Sequence, residues 1–154
     1  MIEDASSLAH VHVQSWRETY GGMVPQSVLD EMSIAKRDAF WQHVLMAGET
    51  EVRVADVGGR VAGFASAGSA REPLETDAEL YAIYVLAADQ GRGLGRLLFA
   101  ACANAMRERG HRTMGLWVLA RNPSVRFYER LGGRVVTKRT DEWGLEEQAY
   151  AFAL

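Results

Sequence analysis

The chain of 154 residues is 48% hydrophobic, enough to bury one core without disulfide or metal staples, so a single domain over residues 1–154 is expected. A formal net charge of -3 disfavours nonspecific binding to nucleic acid or to an anionic membrane, and no apolar run approaches the length of a membrane span. Cys102 is the only cysteine, which excludes an intrachain disulfide framework or thiolate cluster, and Glu3 and Asp4 stand where a secretory signal would be basic; a cytoplasmic setting is expected.

From Ala5 to Tyr20 the apolar residues Leu8, Val11, Trp16 and Tyr20 recur at roughly helical spacing until Gly21, Gly22 and Pro25 break the pattern. Ser33 is placed to cap a second helix carrying Ile34, Trp41, Val44 and Leu45 on one stripe, ended by Gly48. Residues 51–57 and 60–66 then read as two antiparallel strands joined by the turn dipeptide Gly58-Gly59. Residues 80–86 are apolar on both faces, with Tyr81, Ile83 and Val85 on one side and Leu80, Ala82 and Tyr84 on the other, as in a buried central strand. Leu94, Leu97, Leu98, Ala101, Cys102, Ala105 and Met106 keep helical spacing for three turns before Gly110. A strand over 113–119, a short helix over 123–131, and strands over 134–139 and 148–154 complete the chain, which implies an α/β fold with a mixed sheet and helices on both faces.

Between the central strand and the longest helical pattern lies Gln90-Gly91-Arg92-Gly93-Leu94-Gly95-Arg96. Glycines there let successive N–H groups converge on one ligand, and a helix N-terminus adds unpaired donors and a partial positive charge, so the loop suits phosphate oxygens. Three glycines can equally make a tight connection and nothing more. A nucleotide-hydrolysing Walker loop is absent, and a dinucleotide fingerprint would need glycine where Arg96 stands.

This segment, together with Ile83-Tyr84-Val85 before it, resembles the acetyl-CoA motif of GCN5-related N-acetyltransferases, Gln/Arg-x-x-Gly-x-Gly/Ala after a strand. Phe127-Tyr128-Glu129-Arg130-Leu131-Gly132, led by Asn122-Pro123-Ser124, resembles the same family's second coenzyme segment, although Asn122 stands six residues before Tyr128 where seven is usual and Arg121 fills the seventh place. The resemblance implies that Gln90, Gly91, Arg92, Gly93, Leu94, Gly95 and Arg96 hold the pyrophosphate of acetyl-CoA, that Ile83, Tyr84 and Val85 pair with its pantetheine arm, and that the Val85 amide faces the thioester carbonyl. It further implies Tyr128 as the acid that protonates the leaving thiolate, while Asn122 either touches the coenzyme or serves only as a helix cap.

An amine of ordinary pKa of about 10.4 must lose a proton before it attacks, at a cost of about 4.6 kcal/mol at neutral pH. Glu79, at the entry of the central strand, stands where family members place a base acting directly or through water; a solvated charge within the acidic run Glu72, Glu75, Asp77 and Glu79 is the competing reading. Trp16, Tyr20 and Trp41 read as core residues ahead of a substrate-lining role. No metal chemistry is expected from His10, His12, His43 and His111, which lack ligand spacing. The family normally opens with a strand that residues 1–3 cannot supply, so an exposed sheet edge, or a partner such as a second copy covering it, is expected. The activity implied is direct transfer of acetyl from acetyl-CoA to a small-molecule or peptide amine; a non-catalytic acetyl-CoA sensor and an enzyme for a longer acyl-CoA stay open.

Overall fold

The computed structural model describes residues 2–154. Ile2–Asp4 form a 3₁₀ turn that runs into α1 (Ala5–Tyr20), followed by α2 (Gln26–Asp30), α3 (Ile34–Ala47), β1 (Glu51–Val57), β2 (Arg60–Ser69) and β3 (Ala78–Val85). A 3₁₀ turn at Ala87–Asp89 leads to α4 (Leu94–Glu108), β4 (Thr113–Leu119), α5 (Val125–Arg130), β5 (Arg134–Thr140) and β6 (Glu146–Ala153). The strands form one sheet in the order β1-β2-β3-β4-β6-β5, in which only the β3–β4 pair is parallel. Among the described residues no strand precedes α1, so β1 is one edge and the fully exposed β5 the other.

Local chemistry sets these boundaries. The Ser33 hydroxyl accepts from the Lys36 amide at 3.3 Å, and Gly48 closes α3 in the left-handed region at φ 69°. Gly58 and Gly59, at φ 61° and 82°, both take the positive φ that a two-residue primed hairpin turn requires. The helix α2 was not expected, since five residues are too few to show a period.

Helices α1 and α3 cover one face of the sheet, where Leu8, Ala9, Val11 and Trp41 pack on Phe64. His12 is buried there beside Trp41, whose Nε1 donates to its Nδ1 at 3.2 Å; burial, with the Arg37 cation adding to it, lowers its pKa to about 3 and keeps it neutral. On the other face Leu98, Phe99, Cys102, Ala105 and Met106 of α4 pack on Met114, Leu116, Tyr150 and Phe152, each large side chain contributing about 1.5–3 kcal/mol by leaving water. Two expected stripe members fall outside: Leu97 is 67% exposed, off the arc of Leu98, Cys102 and Met106, and Ile34 is 39% exposed in the first turn of α3.

The central strand departs from the alternation expected for it. Its register with β2 runs Ser66↔Ala82 and then Ala67↔Leu80, so Tyr81 is an extra residue in a β-bulge. Leu80 therefore shares the α4 face with Ile83 and Val85, whereas Ala82, Tyr84 and Leu86 join the α1 cluster. The displaced Tyr81 ring lies across Gly68, where a Cβ would come within 2.6 Å of the phenol oxygen, and its hydroxyl donates to the Ser69 carbonyl at 2.6 Å.

The sheet also splits beside β3. Strands β3 and β4 pair only at Ala78↔Met114 and Glu79↔Gly115, a start pinned by Asp77, whose carboxylate accepts from the Arg112 and Thr113 amides at 2.8 and 3.2 Å. Beyond that point β4 stays with β6 as far as Leu119↔Glu147, leaving a wedge between the two halves of the sheet.

Candidate active site

A cleft of about 720 Å³ fills the wedge and runs to the N-terminus of α4. Its wall is the unpaired side of β3. The Leu86 amide donates to the Ala62 carbonyl on β2 at 2.9 Å, so by strand alternation the N–H and C=O groups of Ile83 and Val85 point the other way, into the cleft. The Val85 carbonyl accepts from Gln90 Nε2 at 2.9 Å, which leaves the Val85 amide as a donor. Tyr84 differs: its backbone faces β2, and its hydroxyl accepts from Trp16 Nε1 at 2.9 Å on the α1 side.

At the far end Gly91 and Gly93 sit at φ 79° and 81°, a conformation that side-chain-bearing residues adopt only with strain, and a Cβ at either would meet nothing within 4 Å. Gly93 is the N-cap of α4 and has no side chain to occupy the first N–H groups, which stay available to a ligand. Gly95 is close to Phe127, whose ring would lie 3.4 Å from a Cβ there. Of the expected coenzyme residues Ile83, Tyr84, Val85, Gln90, Gly91, Gly93, Leu94, Gly95, Arg96, Asn122 and Tyr128 line the cleft, while Arg92 does not. Arg92 points toward Asp89, at 4.0 Å, and is 59% exposed. Asp89, itself buried, receives Arg60 Nη1 and Nη2 at 3.0 and 2.9 Å, and that hydrogen bonding holds its carboxyl below the usual range, fixing the loop to β2.

Helix α5 supplies the opposite wall. Tyr128 is 7% exposed, and burial, helped by the nearby Tyr20 phenol and partly opposed by a hydrogen bond with Ser124, raises its pKa far above the ordinary value. It is a neutral donor throughout the physiological range. The Asn122 side chain accepts from the Ser124 amide at 2.9 Å, so it caps the turn entering α5 and not the helix's first residue, while still lining the cleft.

A second cavity of about 200 Å³ lies where the wedge begins, and shares Tyr20, Leu80, Tyr81, Tyr84, Trp117 and Val118 with the cleft. Glu79 is in this cavity and not in the cleft. It is 3% exposed and tied to Arg71: Oε1 accepts from the Arg71 amide at 3.0 Å and from its Nε at 3.2 Å, and Oε2 accepts from an Nη at 2.7 Å. The competing reading of a solvated acidic run is therefore wrong for Glu79, whereas Asp77 is exposed even as its carboxylate accepts from the Arg112 and Thr113 amides, and Glu72 and Glu75 are exposed as well. Trp16 and Tyr20, on the last turns of α1, pack against the Val24, Leu29 and Leu119 cluster and also line the cavity; Trp41, 2% exposed, is core as expected. Sequence reasoning missed Arg71, Tyr81, Trp117, Arg139, Trp143 and Glu147, which only the tertiary fold gathers.

Residues 13–133 match the family model described as the acetyltransferase (GNAT) family. This chain belongs to that family. It is similar to an uncharacterised N-acetyltransferase of Bacillus subtilis, YuaI, at 40% identity over 129 residues, covering 83% of this chain and 73% of the relative. The same fold occurs in the PaiA N-acetyltransferase of Thermoplasma acidophilum, solved with coenzyme A (TM-score 0.75, 19% identity, 98% of this chain and 94% of that one). It also occurs in YncA of Salmonella typhimurium, solved with acetyl-CoA (TM-score 0.74, 22% identity, 99% of this chain and 90% of that one). In this GNAT member the loop from Gln90 to Arg96 and β3 line one cleft.

Proposed function

We propose that the protein is an acetyl-CoA-dependent N-acetyltransferase that transfers acetyl directly to a primary amine within a ternary complex. The observation that carries this reading is the open side of β3, where the peptide groups of Ile83 and the amide of Val85 face a cleft ending on the Gly91 and Gly93 loop. An extended amide-bearing arm can add to that edge as a strand does, and a pyrophosphate can take the N–H groups at the start of α4. The fit is supported by the free space over both glycines and by the two solved neighbours that hold coenzyme A and acetyl-CoA.

In the transfer the amine nitrogen forms a bond to the thioester carbonyl carbon and the carbon–sulfur bond breaks. The Val85 amide donates to the carbonyl oxygen as it gains charge, a contribution of about 2–4 kcal/mol for a preorganised donor. Tyr128, kept neutral by burial, gives its proton to the departing sulfur and is reprotonated by the second proton that the nitrogen sheds as the amide forms. The ammonium proton passes through water to Glu79, whose two oxygens offer about four acceptor sites, three of them taken by Arg71. A cavity for an acceptor beside the cleft favours an enzyme over a sensor, which needs the cleft alone. Thiol release from acetyl-CoA, followed over a panel of amines, tests the reading: amine-dependent release lost in Tyr128→Phe supports it, and acetyl-CoA binding with no release for any amine class would favour the sensor.

A further inference from the structure

The smaller cavity has a charge pattern that points to a substrate class. Its ionisable lining, apart from tyrosines, consists of two glutamates and two arginines in matched pairs: Glu79 with Arg71, and Glu147 with Arg139, whose Nε lies 2.6 Å from Glu147 Oε2. Each arginine is also laid on an aromatic ring of the same cavity, Arg71 at 4.4 Å from the Tyr81 centroid and Arg139 at 3.8 Å from that of Trp117. Stacking and pairing hold both guanidinium planes in fixed orientation. Yet neither is spent: among the described residues Nη1 of Arg71 and both Nη groups of Arg139 have no acceptor, and the two side chains are 67% and 40% exposed at the mouth.

We infer that the acceptor is a compact amine that also carries a carboxylate, an amino acid or a close analogue, with its carboxylate on Arg139 and Arg71 and its amino group toward Glu79 and Glu147. The inference rests on the acetyltransferase reading above and extends it to the acceptor. Three features support it. The two arginines cancel the two glutamates, so the cavity is neutral and matches a zwitterion, whereas a polyamine would need surplus negative charge. The free Nη1 and Nη2 of Arg139 fit a carboxylate by two parallel hydrogen bonds, and Nη1 of Arg71 can add a third. On the amine side Glu147 Oε1 and the remaining site on Glu79 are unengaged among the described residues, and a volume of about 200 Å³ suits a small molecule walled by Trp16, Tyr20 and Trp143.

The test is acetyl-CoA-dependent thiol release with the twenty amino acids, each active one compared with its carboxamide and its decarboxylated amine, and with spermidine as polycation. The acid should exceed its carboxamide in kcat/KM by roughly 10- to 100-fold, the range expected for a charge-assisted hydrogen bond. In Arg139→Gln/Glu147→Gln, which keeps the cavity neutral, that preference should collapse toward unity through KM for the amine. Equal use of acid and carboxamide, preference for spermidine, or turnover of no amino acid would overturn the inference. Titration with acetyl-CoA separates the two levels: binding intact while these arms fail removes only the acceptor class, and binding absent removes the acetyltransferase reading itself.

Discussion

The larger cleft takes most of its lining residues from two short stretches, residues 80–96 and 122–130, and includes the open main-chain edge of β3, whereas the smaller cavity collects side chains from α1, β3, β4, β5, β6 and the loops between them. A peptide N–H is the same group whatever residue bears it, so the cleft depends on a few glycines and on where two strands part. The cavity depends on which side chains meet there. This difference explains how a fold can hold one donor and serve many acceptors, since side chains can change at the cavity without disturbing the cleft.

The comparison is broken most directly at the loop. Gly93→Asp introduces a side chain at φ 81° and a negative charge at the start of α4, and should weaken acetyl-CoA binding at least about 100-fold while the melting transition stays cooperative. Tyr128→Phe removes the proposed acid and keeps the packing, so kcat should fall about 100-fold with little change in acetyl-CoA affinity by titration. Because burial raises the Tyr128 phenol, this group imposes no loss of rate as pH rises to 9, and a pH–rate profile checks that directly. Glu79→Gln should lower kcat roughly 10- to 100-fold and flatten its rise with pH; an unchanged profile removes the proton role.

The smallest effect separates the two regions by stability. His12 stacks on the Tyr84 ring, with centroids 5.5 Å apart, beneath the wall shared by cleft and cavity. Its folded pKa, about 3, lies below the unfolded value of about 6.5, so the unfolded chain binds the proton more readily and stability falls as pH drops below 6.5. From pH 7 to 5.5 the loss should be about 1 kcal/mol, or about 2–4 °C in Tm, and His12→Gln, which keeps an acceptor for Trp41 but does not titrate, should remove it.

The same contrast sets what could be read before folding. The glycine loop, the α4 period and the Ser33 cap were legible because each is written within a few neighbouring residues. The bulge at Tyr81 was not, since an inserted residue in an apolar run looks like any other, and it moved Leu80 to the opposite face. Arg71 and Glu79 are eight residues apart, yet only the β2–β3 connection brings them together, which makes one member of an apparently acidic run a buried carboxylate paired with an exposed arginine. Trp16 and Tyr20 fit the α1 stripe, and nothing local marks that there the stripe borders a cavity as well as the core.

Calorimetric titration of acetyl-CoA into the wild-type protein and into Gly93→Asp bears most directly on the claim that β3 and the glycine loop together form a donor site. The account predicts micromolar binding by the wild type, with coenzyme A binding similarly and ATP much more weakly, and its loss in the variant. Absence of acetyl-CoA binding by a folded wild-type protein, or equal binding by the variant, would contradict it.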